Sequence, residues 1–262
     1  MFCEFAGFEP AADGLSTRRP PLAIIVEIRP FFVSYHMPFK GFGPQALPFF
    51  KALAFHQTKE WFEDNRAIYE GEVKNPFGDL IDDLSAAFAK AKLPLKGDRK
   101  GSLFRLNRDI RFSKDKSPYK THAGAVLTRS GGKNDQGLFY IHVSPEECFA
   151  AAGFYAPEPP DLARLRRAIA RAPKAYAKML ATLDERGLEL SAEYDVSRVP
   201  REFADATDPA VIAALKKKSF ICTRAIRATR LKSPALVEDL VAFAKDATPL
   251  LQWGWAAIVD ER

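Results

Sequence analysis

The stretch THAGAVLTRSGGKNDQGLFYIHVSPEECFAAAGFY, residues 121–155, decides the fold. THAGAVLT and LFYIHVS both run at period two, the pattern of half-buried strands. The turn-rich RSGGKNDQG between them makes the pair a hairpin with a long loop. ECFAAAGFY then reads as a third short strand. Strand follows strand with no helix between, so the sheet is an antiparallel meander. That order excludes the alternating strands and helices of a parallel nucleotide-binding sheet.

Helical patterning lies on both sides of the meander. Upstream, ALPFFKALAFH is one predicted helix and TKEWFEDNRAIYEGEV another, with Thr58 as its cap. Asn75-Pro76 reads as a cap residue followed by proline at the first helical position. Behind it Phe77, Leu80, Ile81, Leu84 and Phe88 form an amphipathic stripe. Downstream, PPDLARLRRAIARA runs into PKAYAKMLATLDERG, closed by Gly187. Asp208-Pro209 and Ser233-Pro234 repeat the cap-proline start, and SFICTRAIRATRL between them reads as a further strand. The predicted fold class is α+β, a central antiparallel sheet flanked by N-terminal and C-terminal helices. One domain is expected over 37–262. Residues 1–36 differ in character and are expected to be an extension outside the native fold, with Met37 the natural start.

RRPPLAIIVEIRPFFV is too short and too charged to span a bilayer, so no membrane partner is expected. Cys3, Cys148 and Cys222 are odd in number and far apart, which suggests neither a disulfide framework nor a cysteine zinc site. A reducing cytoplasm is the expected compartment. The formal charge is +6, but its distribution is uneven. Residues 96–120 carry nine Lys/Arg against three Asp, and residues 216–232 carry seven Lys/Arg with no acid. The rest of the chain is therefore acidic, which points to a local anionic partner. The competing reading is that such runs are solvated faces or pair with acidic helices.

The first basic run holds FRLNRDIRF, residues 104–112. Read as a strand, it puts Phe104, Leu106, Ile110 and Phe112 on one face and Arg105, Asn107, Asp109 and Arg111 on the other. Arg108 falls on the apolar side, where its charge needs a carboxylate or several carbonyls. A helical reading would instead gather Arg105, Arg108, Asp109 and Phe112. On the strand reading, guanidiniums around a carboxylate and an amide suit bidentate recognition of phosphate or carboxylate. Neighbouring strands are expected to add His122, Tyr140 and His142. The loop SKDKSPYKTH brings Lys116 and Tyr119. Two histidines with Asp109 could ligate a metal, but the spacing matches no known metal motif and the guanidiniums oppose a cation, so no metal and no cofactor are expected. No phosphate-loop or nucleophile-elbow motif occurs.

RLNRDIRFSKDKSPYKTH, together with upstream EWFEDNRAIYE and PFGDLIDDL and downstream FYIHVSPEECFAAAGFYAPEPPDLARLRRAI, resembles domain-of-unknown-function family 2461, a mostly bacterial family. Its hallmark is Arg-x-x-Arg-Asp-x-Arg-Phe followed shortly by Lys-x-x-Tyr. Here Arg105, Arg108, Asp109, Arg111, Phe112, Lys116 and Tyr119 match it, and the resemblance covers about residues 38–252. It implies that the basic run is a family signature in which Arg108 and Phe112 are partly structural. It supplies no activity, substrate or cofactor.

Three readings follow. In the first, the protein binds an anionic small molecule, and the same site could serve an enzyme. Arg105, Asn107, Arg111, Lys116, Tyr140 and His142 contact the ligand, Asp109 and His122 move protons, and Tyr119 orients it. In the second, the basic and aromatic residues follow nucleic-acid phosphates and stack bases, which needs both basic clusters on one surface. In the third, the arginines form a largely buried ion-pair network with Glu63, Asp64 or Asp109. None of the three fixes an oligomeric state.

Overall fold

The computed structural model describes residues 38–111 and 114–259. The expected N-terminal extension, Met37 and Phe112 lie outside the described residues. Four strands, β1 (Ala123–Thr128), β2 (Leu138–Val143), β3 (Cys148–Phe154) and β4 (Phe220–Ala225), form one sheet in the order β1-β2-β3-β4, antiparallel throughout. The meander reading thus holds, with the downstream strand added at the edge. SFICTRAIRATRL is a strand only as far as Ala225, and its end forms a short helix, Ala228–Leu231.

The upstream helices are α1 (Ala46–Phe55), α2 (Lys59–Asp64), α3 (Arg66–Ile68) and α4 (Asn75–Lys90). Thr58 caps α2 through a bond from the Trp61 amide, 3.3 Å. The expected single helix over 58–73 breaks at Asn65, whose side chain donates to the Trp61 carbonyl at 2.8 Å. The expected cap at Asn75 is also revised. The chain enters α4 directly from a π-helical turn, Tyr69–Lys74, with the Asn75 amide bonded to the Glu70 carbonyl. Pro76 has no N–H to give a carbonyl one turn back, and a widened turn absorbs that loss.

Downstream come α5 (Pro159–Arg171), α6 (Pro173–Asp184), α7 (Pro209–Leu215), α8 (Ala228–Leu231) and the long α9 (Leu236–Val259). Asp208 caps α7 as expected, accepting from the Ala210 amide at 2.8 Å. Past α6, Gly187 takes a positive φ of 67°, the conformation for which a helix end selects glycine.

One face of the sheet is dry. Ala125, Ile141, Ala150, Phe139 and Ala152 are almost wholly buried there against α4 and α9. Phe139 meets Phe88 at 5.3 Å and Phe243 at 5.6 Å between ring centroids. The other face carries Gly124, His142 and Phe149 in one row and Val126, Tyr140 and Ala151 in the next. On β2 the two sets alternate strictly, half-buried then buried, so this second face is only partly covered. Among the described residues no helix is long and apolar enough to cross a membrane.

Candidate functional site

The basic run lies along the free edge of β1. Residues 102–108 are extended, but they form isolated bridges in place of the expected regular strand. Leu103 faces Ala125, Asn107 faces Tyr119, and the Phe104 amide donates to the Gly124 carbonyl at 2.9 Å. The burial alternation matches the expectation in part. Arg105, Asn107, Asp109 and Arg111 are exposed, Leu106 is buried, and Arg108 and Ile110 are half-buried. Phe104 departs from it. Because Leu103 is in register with Ala125 on the dry face, Phe104 turns to the open face and meets the Tyr140 ring at 6.3 Å.

The expected site residues separate into three places. The first comprises residues 108–111 and 114–117, which bond to one another. Arg108 pairs with Asp115, the carboxylate its half-buried position requires. Arg111 pairs with Asp109 at 2.7 Å, and the Lys116 ammonium donates to the Ile110 carbonyl at 2.9 Å. The Arg111 guanidinium lowers the Asp109 pKa, and hydrogen bonds from Ser117 and Arg108 bring Asp115 to about 2. Glu63 binds Arg66.

The second place is a cleft of about 320 Å³ between the helices and the motif. Asn107 and Tyr119 line it together with Phe62, Arg66, Tyr69 and Lys74. Tyr119 is fixed there by stacking on Phe62 at 4.8 Å and by a bond from its amide to the Gln57 side chain, 3.0 Å. Burial is the first cause of its raised pKa.

The third place is the open face of the sheet. His122 and His142 lie 4.6 Å apart between ring centroids, and His142 Nδ1 shares a 3.0 Å hydrogen bond with the Tyr140 hydroxyl. Phe149 stacks on the far side of His142 at 4.8 Å. Gly124 makes room, since a Cβ there would collide with the Tyr140 hydroxyl. Burial pushes Tyr140 up to about 12. Burial, then the neighbouring His142, Lys120 and Arg108, push His122 down to about 4 against an opposing pull from Glu146. Burial lowers His142 as well.

Two lysines complete this face, Lys120 from the lysine-rich SKDKSPYKTH loop and Lys133, which the sequence reading did not single out. Lys120 Nζ lies 5.5 Å and Lys133 Nζ 4.9 Å from the centroid of the Phe104 ring. Lys133 is carried there by the hairpin loop and also donates to the Leu103 carbonyl at 2.7 Å. Burial lowers the Lys120 pKa first, followed by repulsion from Arg105, Lys133 and Arg108. Among the described residues no group of three or more His, Cys, Asp or Glu is arranged to hold a metal ion.

A family model described as conserved hypothetical protein (DUF2461) matches residues 45–253, which include the sheet and all three places. The chain belongs to that family. No curated protein and no solved structure matches it. The family assignment covers the helices of the cleft, the basic motif and the histidine strand together, so all three belong to the family's domain.

Proposed function

We propose that the protein binds a small phosphate- or carboxylate-bearing molecule on the open face of the sheet, at Lys120, Lys133 and Arg105. The observation that carries this is the pair of ammonium groups on the one Phe104 ring, with the Arg105 charge close enough to Lys120 to lower its pKa. None of these three cations is in a salt bridge among the described residues, whereas Arg108 and Arg111 are. Two like charges gathered on one ring repel each other. The ring faces offset part of that through cation–π attraction, about 0.5–1 kcal/mol each. A bound anion would remove the rest and turn the repulsion into attraction.

The motif arginines therefore divide by role. Arg105 meets the ligand, while Arg108 and Arg111 hold the loop through Asp115 and Asp109. Two of the three motif arginines are thus in ion pairs, but these pairs are exposed or half-exposed and not the buried network of the third reading. The compartment that fits the cysteine usage is a reducing cytoplasm, where Cys148 and Cys222 stay free thiols.

Thermal unfolding with and without inorganic phosphate tests the proposal. Phosphate should raise the wild-type Tm, by the linkage that stabilises any ligand-binding native state. Arg105→Ala and Lys120→Ala should lose that rise with little change in their phosphate-free Tm, because neither side chain has an ion-pair partner among the described residues. Arg111→Ala should keep it. An equal rise in all four proteins would defeat the assignment.

A further inference from the structure

The anion reading uses the cationic end of the open face and leaves its aromatic end unexplained. There, Tyr140, His142 and His122 form a continuous set, walled by Phe149 and given space by Gly124. Tyr140 and His142 sit two residues apart on β2, on the same face of the sheet. The Tyr140 hydroxyl shares its hydrogen bond with His142 Nδ1, so the direction of that bond and the tautomer of His142 are tied together: with the hydroxyl donating, Nε2 carries the N–H. His142 Nε2 and both nitrogens of His122 have no hydrogen-bond partner among the described residues. Two imidazoles in ring contact cannot both be charged without strong repulsion, so the pair holds at most one proton near neutral pH.

The groups facing the pair set when that proton arrives. Around His122 stand His142, Lys120, Arg108 and Glu146, and around His142 stand Tyr140, Phe149 and Glu146. Lys133 and Arg105 act through Lys120. In the free protein burial lowers the pKa of both rings, and at His122 the neighbouring His142, Lys120 and Arg108 add to it. An anion on the lysines reverses the local sign.

We propose that an anion docking on Lys120, Lys133 and Arg105 is bound together with one proton shared by His122 and His142, which makes this pair the acid–base group for a proton transfer on a phosphate- or carboxylate-bearing substrate. The inference rests on the anion reading above. The step is a proton movement only. A lone pair on a His122 ring nitrogen takes a proton from solvent as the anion binds, and the imidazolium then gives that proton to the substrate, with no redox change and no bond to the protein. His122 is the acceptor, because neither of its nitrogens is engaged. Tyr140 is a positioning residue that holds the His142 tautomer.

Calorimetric titration with sulfate, which keeps its charge across the range used, tests this in pairs of buffers with different heats of ionisation. The wild-type protein should take up close to one proton per sulfate at about pH 5. Its affinity should rise by up to about tenfold per pH unit as pH falls from about 7 to about 5. The double variant His122→Gln, His142→Gln should bind sulfate with no buffer dependence. Imidazole carbon shifts of the wild-type protein give the same answer without a variant: sulfate should move them toward the protonated form. Sulfate binding with buffer-independent heat would overturn the proton coupling and leave the anion reading standing, as would proton uptake with unmoved histidine signals. Failure of the wild-type protein to bind sulfate at any pH overturns the anion reading and the coupling with it.

Discussion

His122 shows at the scale of one residue how surroundings become a measurable property. Its pKa is about 4 in the folded protein, against an ordinary value near 6.5. Between those values the unfolded chain binds a proton that the folded chain refuses. The stability His122 confers is thus complete above about pH 6.5 and is lost as pH falls toward about 4. The loss amounts to roughly 2 kcal/mol after allowing for partial exposure. His122→Gln should flatten the fall of Tm over that window, with His142 leaving a smaller remnant. Parallel wild-type and variant curves would show that the ring is not desolvated. Gly124 gives a second case. Gly124→Ala should cost about 1–3 kcal/mol by overpacking, and the displaced Tyr140 hydroxyl should release His142. Denaturant unfolding and a histidine titration would measure both effects. The period-two pattern of LFYIHV is enough by itself to make Tyr140 and His142 legible as face-sharing neighbours. Phe104 was not legible in the same way. Its face depends on Leu103 being in register with Ala125, and register along an edge is set by partners far away in sequence. Lys133 was hidden because nothing in a loop sequence says where its tip folds back.

At the scale of elements, the edge of β1 is covered by an irregular segment. Lys96 and Thr128 exchange both backbone bonds, at 2.8 and 3.0 Å, and the Val126 amide donates to the Ser102 carbonyl at 3.1 Å. Between these bonds the segment turns through Asp98–Gly101, where Asp98 accepts from the Lys100 and Gly101 amides. The bridging segment protects an edge that would otherwise offer unpaired amides to another chain. Hydrogen exchange should therefore show the Lys96, Phe104, Val126 and Thr128 amides protected nearly as strongly as the β2 amides. Fast exchange at these four positions would mean that the segment lifts off β1 in solution. The alternation of FRLNRDIRF anticipated the extended backbone but not its lack of a regular ladder. The turn at 98–101 and the mutually bonded residues 108–111 and 114–117 interrupt pairing at both ends, and both depend on side-chain contacts that periodicity does not encode. The helices were more legible, because Phe77, Leu80, Ile81, Leu84 and Phe88 had only one way to share a buried face. Where the reading failed, at Asn75, proline chemistry was applied as a helix start although the helix was already under way.

At the scale of the described molecule, the two basic clusters occupy different parts of one sheet. Lys120 and Lys133 belong to the open face beside β1, whereas Arg224 is on β4, at the opposite edge, with its guanidinium on the Phe243 ring of α9. Three strand spacings separate β1 from β4, about 14 Å. Much of the second cluster is also engaged. Lys217 binds Asp195 at 3.2 Å, Arg224 binds Asp246 at 2.9 Å, and Arg230 binds Asp239. A nucleic-acid strand would need a continuous row of available cations, and each phosphate neutralised steepens the salt dependence by about 0.7–0.9 in the log–log slope. The proposed site at Arg105, Lys120 and Lys133 would accommodate about one to three phosphates. Any binding of a generic oligonucleotide should thus be weak, with a slope no steeper than about −3. Arg105→Ala should weaken phosphate and oligonucleotide alike, since both would use the same cations. A slope near −6 or steeper, unchanged by Arg105→Ala, would instead require a basic surface joining the two edges, and would transfer the ligand from the open face of the sheet to the outside of the protein.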